Sequence, residues 1–187
     1  MLNKTHLLSL IQVNKFSSVK TFYAQEITTP IGTILAIADN DLLYYSSFIS
    51  ESSIQIIRNL LNNYNGKLSL QSNKILELTK HEINSYFDSS LKKFTIPLKF
   101  TGTEFQVKCW QELSKISYGK TISYLDEAMN IGKPTAFRAV ANANGKNLFP
   151  IIIPCHRVIN SNGKIGGYTG GTEKKIFLLN IEKALTI

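Results

Sequence analysis

A cysteine and a histidine are neighbours in the segment Pro154-Cys155-His156-Arg157-Val158. A thiol must become a thiolate before it attacks carbon, and burial opposes this change because it disfavours the charged form. A base close to the sulfur reverses the effect, and the imidazole of His156 can take the proton directly or through one water. Cys155 is therefore a candidate nucleophile, although an isolated Cys-His pair also arises by coincidence.

Glu182 is the candidate third member of this group. An apolar stripe at Leu178, Ile181 and Leu185 predicts a C-terminal helix capped by Thr172. Glu182 lies at the edge of that stripe, and a carboxylate drawn toward a core needs a partner. Pairing with the histidine would fix the imidazole tautomer and give a Cys-His-Glu relay. The alternative is an exposed glutamate beside lysines, forming a surface pair that contributes little.

A glycine-rich segment lies between the cysteine and that helix, Gly-Gly-Tyr-Thr-Gly-Gly over 166–171. Alone it predicts a flexible loop. Beside a reactive cysteine, its backbone N–H groups, one hydroxyl and the ring of Tyr168 suit the wall of a pocket for a planar ligand.

Two short helices with a tight joint precede the cysteine. Ser123 predicts the N-cap of a helix over 124–130, and a three-residue turn leads to a second helix that begins at Pro134 and ends before Gly145. This outline is a helix-turn-helix, which many other helical hairpins share. The second helix carries Arg138 as its only charged residue. It also carries four alanines, Ala136, Ala139, Ala141 and Ala143. These small side chains suit either a close approach to a DNA groove or packing on neighbouring helices.

The rest of the chain predicts an α+β protein. Three antiparallel strands are expected over 22–29, 33–38 and 42–49, followed by helices over 53–62 and 72–88. An extended link near 94–98 suggests a domain boundary, with an N-terminal domain over 1–96 and a mostly helical C-terminal domain over 97–187. In the latter we expect an amphipathic helix over 103–116 with Cys109 as a buried packing residue, and a short buried strand over 149–153.

Charge and cysteine content narrow the class of protein. The net charge is +8, and residues 96–187 hold 12 Lys and Arg against 6 Asp and Glu. This indicates either a polyanionic partner or a lysine-rich solvated surface. Two cysteines and three histidines are too few for a disulfide framework and too scattered for a zinc site. We expect a soluble protein of a reducing compartment, with a disordered or strand-leading N-terminus.

The segment Pro154–Val158 resembles the signature of the O6-alkylguanine-DNA alkyltransferases, also called methylated-DNA–protein-cysteine methyltransferases. The similarity covers about 96–184, and the N-terminal part matches only in outline. The matching positions follow the expected order: Thr103 to Gln106, Trp110, Tyr118 to Tyr124, Arg138 to Val140, Asn147, Ile151 to Ile159, the glycine-rich segment, Leu178, Leu179 and Glu182.

The resemblance implies a role for each site residue. Cys155 is similar to the acceptor thiol, His156 and Glu182 to the pair that activates it, and Asn147 to the residue that supports the turn before it. The remaining positions are similar to residues that contact DNA or the damaged base. They are Arg138, which would fill the gap left by a flipped nucleotide; Tyr124, beside a phosphate and the guanine ring; the Val158 carbonyl, at the exocyclic amine; Tyr168 and Thr169, at the alkylated base; and Ala139 and Ala143, in the groove.

The resemblance also implies a reaction. It predicts DNA repair by direct, stoichiometric and irreversible transfer of an alkyl group to Cys155. The donor would be O6-alkylguanine in double-stranded DNA, and O4-alkylthymine is left open as a second donor. We expect no cofactor, no metal, no membrane association, a monomer, and a cytoplasmic location, or a nuclear one in a eukaryote. The N-terminal domain would have an RNase H-like outline. Two alternatives stay open, a cysteine hydrolase and a non-enzymatic helix-turn-helix protein that binds DNA or senses damage.

Overall fold

The chain folds into two compact units in a computed structural model that describes residues 19–184. The first unit holds the described residues up to Glu82 together with Ile96–Lys99, and the second holds Ile83–Thr95 and the described residues from Phe100 onward. The division into domains over 1–96 and 97–187 stays a prediction. The expectation of a disordered or strand-leading start falls on residues 1–18, outside the described residues.

The first unit contains a four-stranded sheet in the order β3-β2-β1-β4. Its strands are β1 (Lys20–Thr29), β2 (Gly32–Ala38), β3 (Leu43–Phe48) and β4 (Gly66–Ser69). The first three form the predicted antiparallel meander. Strand β4 was not predicted from the sequence; it pairs parallel to β1 after the crossover through helix α1 (Glu51–Asn63). The sheet is therefore mixed, and not antiparallel throughout as predicted.

Helix α2 (Lys74–Phe87) runs from the first unit into the second. Leu76, Ile83 and Tyr86 on this helix are fully buried. Their spacing of seven and three residues gives one apolar face. The last of them, Tyr86, belongs to the second unit and reaches the site described below.

The second unit consists of short helices and one small pair of strands. Its elements are α3 (Glu104–Leu113), β5 (Ile122–Ser123), α4 (Tyr124–Asn130), α5 (Phe137–Asn144), β6 (Val158–Ile159) and α6 (Thr172–Ile181), with 3-10 turns at Pro134–Ala136 and Cys155–Arg157. The Ser123 cap is confirmed, since its hydroxyl accepts a hydrogen bond from the Asp126 N–H at 3.0 Å. Cys109 is fully buried in α3, which also agrees with the prediction.

Two local predictions for this unit were wrong. Residues 149–153 form a buried turn and not a strand, because Ile151 adopts a φ of +77° and the Asn147 side chain accepts the Phe149 N–H at 2.9 Å. Thr172 is the first helical residue of α6, and the N-cap is Gly171 with a φ of +95°. The glycine permits the left-handed backbone that brings the chain into this helix.

Within residues 19–184, none of the helices is both long and apolar enough to cross a membrane. The same range has no cluster of three or more His, Cys, Asp or Glu side chains that could hold a metal ion.

Candidate active site

Cys155 is held at the start of a 3-10 turn by the backbone and by Asn147. The Cys155 N–H donates to the Ile153 carbonyl at 2.8 Å. The Asn147 amide donates to that same carbonyl at 2.8 Å and to Sγ of Cys155 at 3.3 Å. A donor to sulfur favours the thiolate over the thiol. Asn147 therefore stabilises both the backbone turn and the thiolate form of Cys155.

Glu182 is the most heavily hydrogen-bonded side chain of the site. Its residue is 3% exposed, so the alternative of a solvated surface pair does not hold. It accepts from five donors: His156 Nε2 at 2.9 Å, Arg157 Nε at 2.8 Å, Arg157 Nη2 at 2.8 Å, the Tyr86 hydroxyl at 2.8 Å and the Gly119 N–H at 3.1 Å. Burial acts to raise the pKa of this carboxyl, but the bonds from His156 and Arg157 outweigh it and lower the pKa to about 2.

The hydrogen bond to Glu182 sets the tautomer of His156. A carboxylate only accepts, so Nε2 carries a hydrogen and Nδ1 carries the lone pair. Nδ1 is buried and has no hydrogen-bond partner among the described residues. Burial lowers the pKa of His156, while Glu182 acts in the opposite direction. The imidazole is thus neutral at neutral pH, with Nδ1 free to take a proton.

The loop after α3 is tied to the same carboxylate. Gly119 adopts a φ of +73°, and a Cβ added there would lie 2.9 Å from the Glu182 carbonyl oxygen. Only glycine brings its N–H so close in this conformation. Arg157 Nη1 also donates to the Ile116 carbonyl at 2.5 Å. Glu182 and Arg157 thereby connect the end of α6 to the segment that leads into β5.

Lys175 is a functional candidate that the sequence analysis missed. It is fully buried on α6, and its Nζ donates to the Val158 carbonyl at 2.6 Å and to the Gly167 carbonyl at 3.4 Å. Burial lowers the pKa of Lys175 to about 8, and Cys155 opposes that fall. The signal was present in the sequence, since Lys175 lies three and four residues before the buried Leu178 and Leu179.

Ionisation of Cys155 depends on opposed effects. Burial raises the pKa of the thiol, and the Asn147 donor and the Lys175 cation act against the rise. Attack on carbon therefore requires a base, and Nδ1 of the adjacent His156, unpartnered within the described part of the chain, is the candidate for it.

An open cavity of about 380 Å³ lies over Cys155. This volume is within the usual range for pockets that take small planar ligands. The walls come from α4, the C-terminal end of α5, and the glycine-rich loop, and the lining residues are Tyr124, Ala141, Asn142, Asn144, Gly145, Cys155, Gly167, Tyr168 and Thr169. Thr169 donates to the Gly145 carbonyl at 2.9 Å, which fastens the loop to the end of α5.

Tyr124 determines how the glycine-rich loop passes the cavity. A Cβ on Gly166 would lie 2.9 Å from the Tyr124 hydroxyl oxygen. A side chain at position 166 would therefore displace either the ring or the loop. The tyrosine ring and the loop backbone together form one wall of the cavity, and their close contact requires glycine at position 166.

Four of the site residues predicted from sequence line this cavity, namely Tyr124, Cys155, Tyr168 and Thr169. The buried His156, Asn147 and Glu182 do not line it. The other four, Val158, Arg138, Ala139 and Ala143, do not line it either. Val158 is buried, and its carbonyl is bound by Lys175. Arg138 and Ala139 are exposed on α5. Ala143 faces the core, where its carbonyl accepts from the Trp110 indole at 2.9 Å, so its predicted place in a groove was wrong.

Comparisons with known proteins identify the family. Residues 104–184 match the sequence model described as 6-O-methylguanine DNA methyltransferase, DNA binding domain. The methylated-DNA–protein-cysteine methyltransferase of Methanosarcina acetivorans is 39% identical over 155 residues, which cover 82% of this chain and 94% of that protein. This chain belongs to that family. The inducible methyltransferase of Bacillus subtilis is 46% identical over 118 residues, covering 63% of this chain and 66% of that relative.

Solved structures of other methyltransferases confirm the α+β fold class. The crystal structure of Mycobacterium tuberculosis OGT in complex with DNA has a TM-score of 0.74 and 34% identity, covering 88% of this chain and 93% of that one. The O6-methylguanine-DNA methyltransferase of Pyrococcus kodakaraensis has a TM-score of 0.60 and 27% identity, covering 86% and 98%.

This methyltransferase also buries a second carboxyl group, that of Glu127 on α4. Glu127 is fully buried, and its Oε2 accepts from the amide of the cavity residue Asn144 at 2.6 Å. Its Oε1 has no hydrogen-bond partner among the described residues. Burial raises the pKa of Glu127 to about 7; the bond from Asn144 opposes the rise, and Glu112 adds to it. Protonation would give this buried carboxyl a donor of its own.

We expect Glu127→Gln to flatten the pH dependence of stability. The pKa is about 4.5 unfolded and about 7 folded, so the native state holds one proton more in that window, and the wild type loses stability as pH rises. Glutamine stays neutral, so the variant should gain about 2–3 kcal/mol relative to the wild type between pH 4.5 and 7. Urea unfolding at several pH values measures this, with the exposed Glu104→Gln as control. A constant difference between Glu127→Gln and wild type would refute the assignment.

Proposed function

We propose that this methyltransferase transfers an alkyl group from O6-alkylguanine in double-stranded DNA to Sγ of Cys155. The observation that carries the proposal is an open cavity over Cys155 with the buried His156–Glu182 pair beside it. In the reaction, the S–C bond forms as the bond from the alkyl carbon to O6 breaks. The thiol proton passes to His156, and the electron pair of the broken bond stays on guanine.

Glu182 and Tyr124 would support charge at opposite ends of this displacement. When His156 gains a proton it becomes a cation, and the Glu182 carboxylate at 2.9 Å stabilises it. Guanine leaves as an anion unless a donor reaches its ring, and the Tyr124 hydroxyl at the cavity wall is a donor of the right kind. Thr169 and the carbonyls of Cys155 and Val158 would contact the base edges, since a carbonyl bound once still has a second lone pair.

The base has to leave the duplex before its alkyl carbon can meet the sulfur of Cys155, a residue that is 5% exposed. Unstacking costs a few kcal/mol, and an alkylated guanine lowers that cost because it pairs poorly. We assign the DNA-facing role to the exposed side of α5, where Arg138 would fill the gap and Ala139 would allow close approach. Lysine contacts to phosphates would add affinity without sequence preference, in keeping with the net charge of +8.

The product is a thioether, which has no leaving group that water can displace at neutral pH. Each molecule should therefore act once. We further propose that it acts as a monomer and without a cofactor. The test supplies excess duplex that carries O6-methylguanine labelled in its methyl group. We expect label transfer to stop at one methyl group per protein molecule, and the final amount of transferred label to scale with protein concentration. O4-methylthymine duplex tests the second substrate in the same assay.

Two outcomes would overturn the proposal in favour of its alternatives. Continued turnover, or hydrolysis of a thioester formed on the cysteine, would indicate a cysteine hydrolase. Tight binding of the damaged duplex with no label on the protein would indicate a damage sensor.

A further inference from the structure

Phe137 is an aromatic side chain on the surface that has no role in the proposed reaction. It is the first residue of α5 and is 42% exposed. Its ring centroid lies 5.6 Å from the guanidinium carbon of Arg138. A single exposed apolar residue is ordinary in itself. Phe137 differs from such residues because it lies on a helix that forms part of the cavity wall.

Helix geometry places Phe137 in line with the cavity wall. Residues four apart lie on the same face of a helix, and four residues advance about 6 Å along the axis. Phe137 therefore lies one turn before Ala141 on the row that continues to Asn144, and both of those residues line the cavity. Arg138 lies one turn before Asn142, another lining residue, on the neighbouring row. The two side chains form an adjacent pair about 6 Å along the helix axis from residues that line the cavity.

We propose that Phe137 is an intercalating side chain that stacks on the bases beside the extruded nucleotide and, with Arg138, prevents the gap from closing. The inference rests on the proposed function. Proteins that kink DNA through the minor groove insert apolar side chains between base steps, and phenylalanine is one of those they use. An aromatic ring stacks on any base, so this contact adds to binding without demanding a sequence. Its cation–π partner holds the ring and the guanidinium as one unit.

The chain offers a matched control in Phe177. It is a phenylalanine of similar exposure, 39%, located on α6. Phe177→Ala therefore removes the same side chain at a position outside the cavity wall. Any general cost of losing a half-exposed ring will appear in both variants.

The test compares methyl transfer from two substrates, O6-methylguanine in a duplex and in a single-stranded oligonucleotide. The single strand has no partner strand to hold the base in a stack. We expect Phe137→Ala to slow transfer from the duplex about tenfold and from the single strand by less than about threefold. Phe137→Trp should retain the duplex rate, Phe177→Ala should change neither rate, and the salt dependence of duplex binding should not change in any of these variants.

An equal loss on both substrates would overturn the proposal, because it would show a general defect and not a role in opening the duplex. An unchanged duplex rate in Phe137→Ala would overturn it as well. Failure of the proposed function is distinguishable, since the wild type would then gain no methyl group from either substrate.

Discussion

Replacing Cys155 by alanine should abolish methyl transfer while leaving affinity for the damaged duplex within about threefold of wild type. Among the cavity-lining residues, Cys155 supplies the sulfur, and the substitution removes the atom that forms the new bond. The same residue is 5% exposed, so its side chain offers little surface to DNA. Transfer is measured by label on the protein, and affinity by fluorescence anisotropy of a labelled duplex.

Cys109→Ala is the control for this experiment. Cys109 is fully buried in α3, and burial raises the pKa of its thiol to about 11, so it is a poor nucleophile without a base. The variant should keep its transfer activity. Methyl transfer by Cys155→Ala, or loss of all DNA affinity in it, would contradict the separation of chemistry from binding.

Glu182→Ala should cause the largest loss of stability of any substitution in the site, about 3–5 kcal/mol. It leaves the buried Arg157 without its partner, and it removes the acceptor for Tyr86 and Gly119. The His156 tautomer also loses its support, so transfer by the remaining folded protein should slow about 100-fold or more. Urea unfolding at pH 7 and single-turnover rates measure the two effects.

The pH dependence separates Glu182 from a residue that only fills space. Its folded pKa is lowered to about 2 against an ordinary value of 4.5, so its contribution is present above pH 4.5 and is lost as pH falls toward 2. The difference in unfolding free energy between wild type and Glu182→Ala should therefore shrink over that range. Glu173→Ala, an exposed change in the first turn of α6, should show no such trend. A difference that is independent of pH would count against the carboxylate as the stabilising group.

The sequence allowed the centre of the site to be predicted because its motif is local. Cys155 and His156 are adjacent, and the apolar stripe of α6 fixed where Glu182 would point. The full set of donors around Glu182 was not predictable in the same way. Tyr86 and Gly119 come from segments 96 and 63 residues away, and single-sequence patterns carry no signal for such contacts.

Local sequence patterns also gave a wrong prediction where a side chain takes the place of a backbone hydrogen-bond partner. The apolar run over 149–153 has the composition of a buried strand, but Pro150 has no N–H to donate and Asn147 binds the Phe149 N–H instead. In the first unit, β4 has only four residues, and Leu68 is its one large apolar side chain, so the sequence carries too short a pattern to indicate a strand. Lys175 was not singled out from the sequence, although its helical position is on the buried face.

The central claim is that one buried sulfur accepts the alkyl group, and peptide mass spectrometry tests it most directly. The protein is incubated with an O6-methylguanine duplex, digested, and its cysteine peptides are weighed. We predict the mass of one added CH2 group on the peptide that contains Cys155, at one per protein molecule, and an unmodified peptide containing Cys109. A methyl group on any other residue, or an unmodified Cys155 peptide after the duplex has lost its methyl group, would contradict the account.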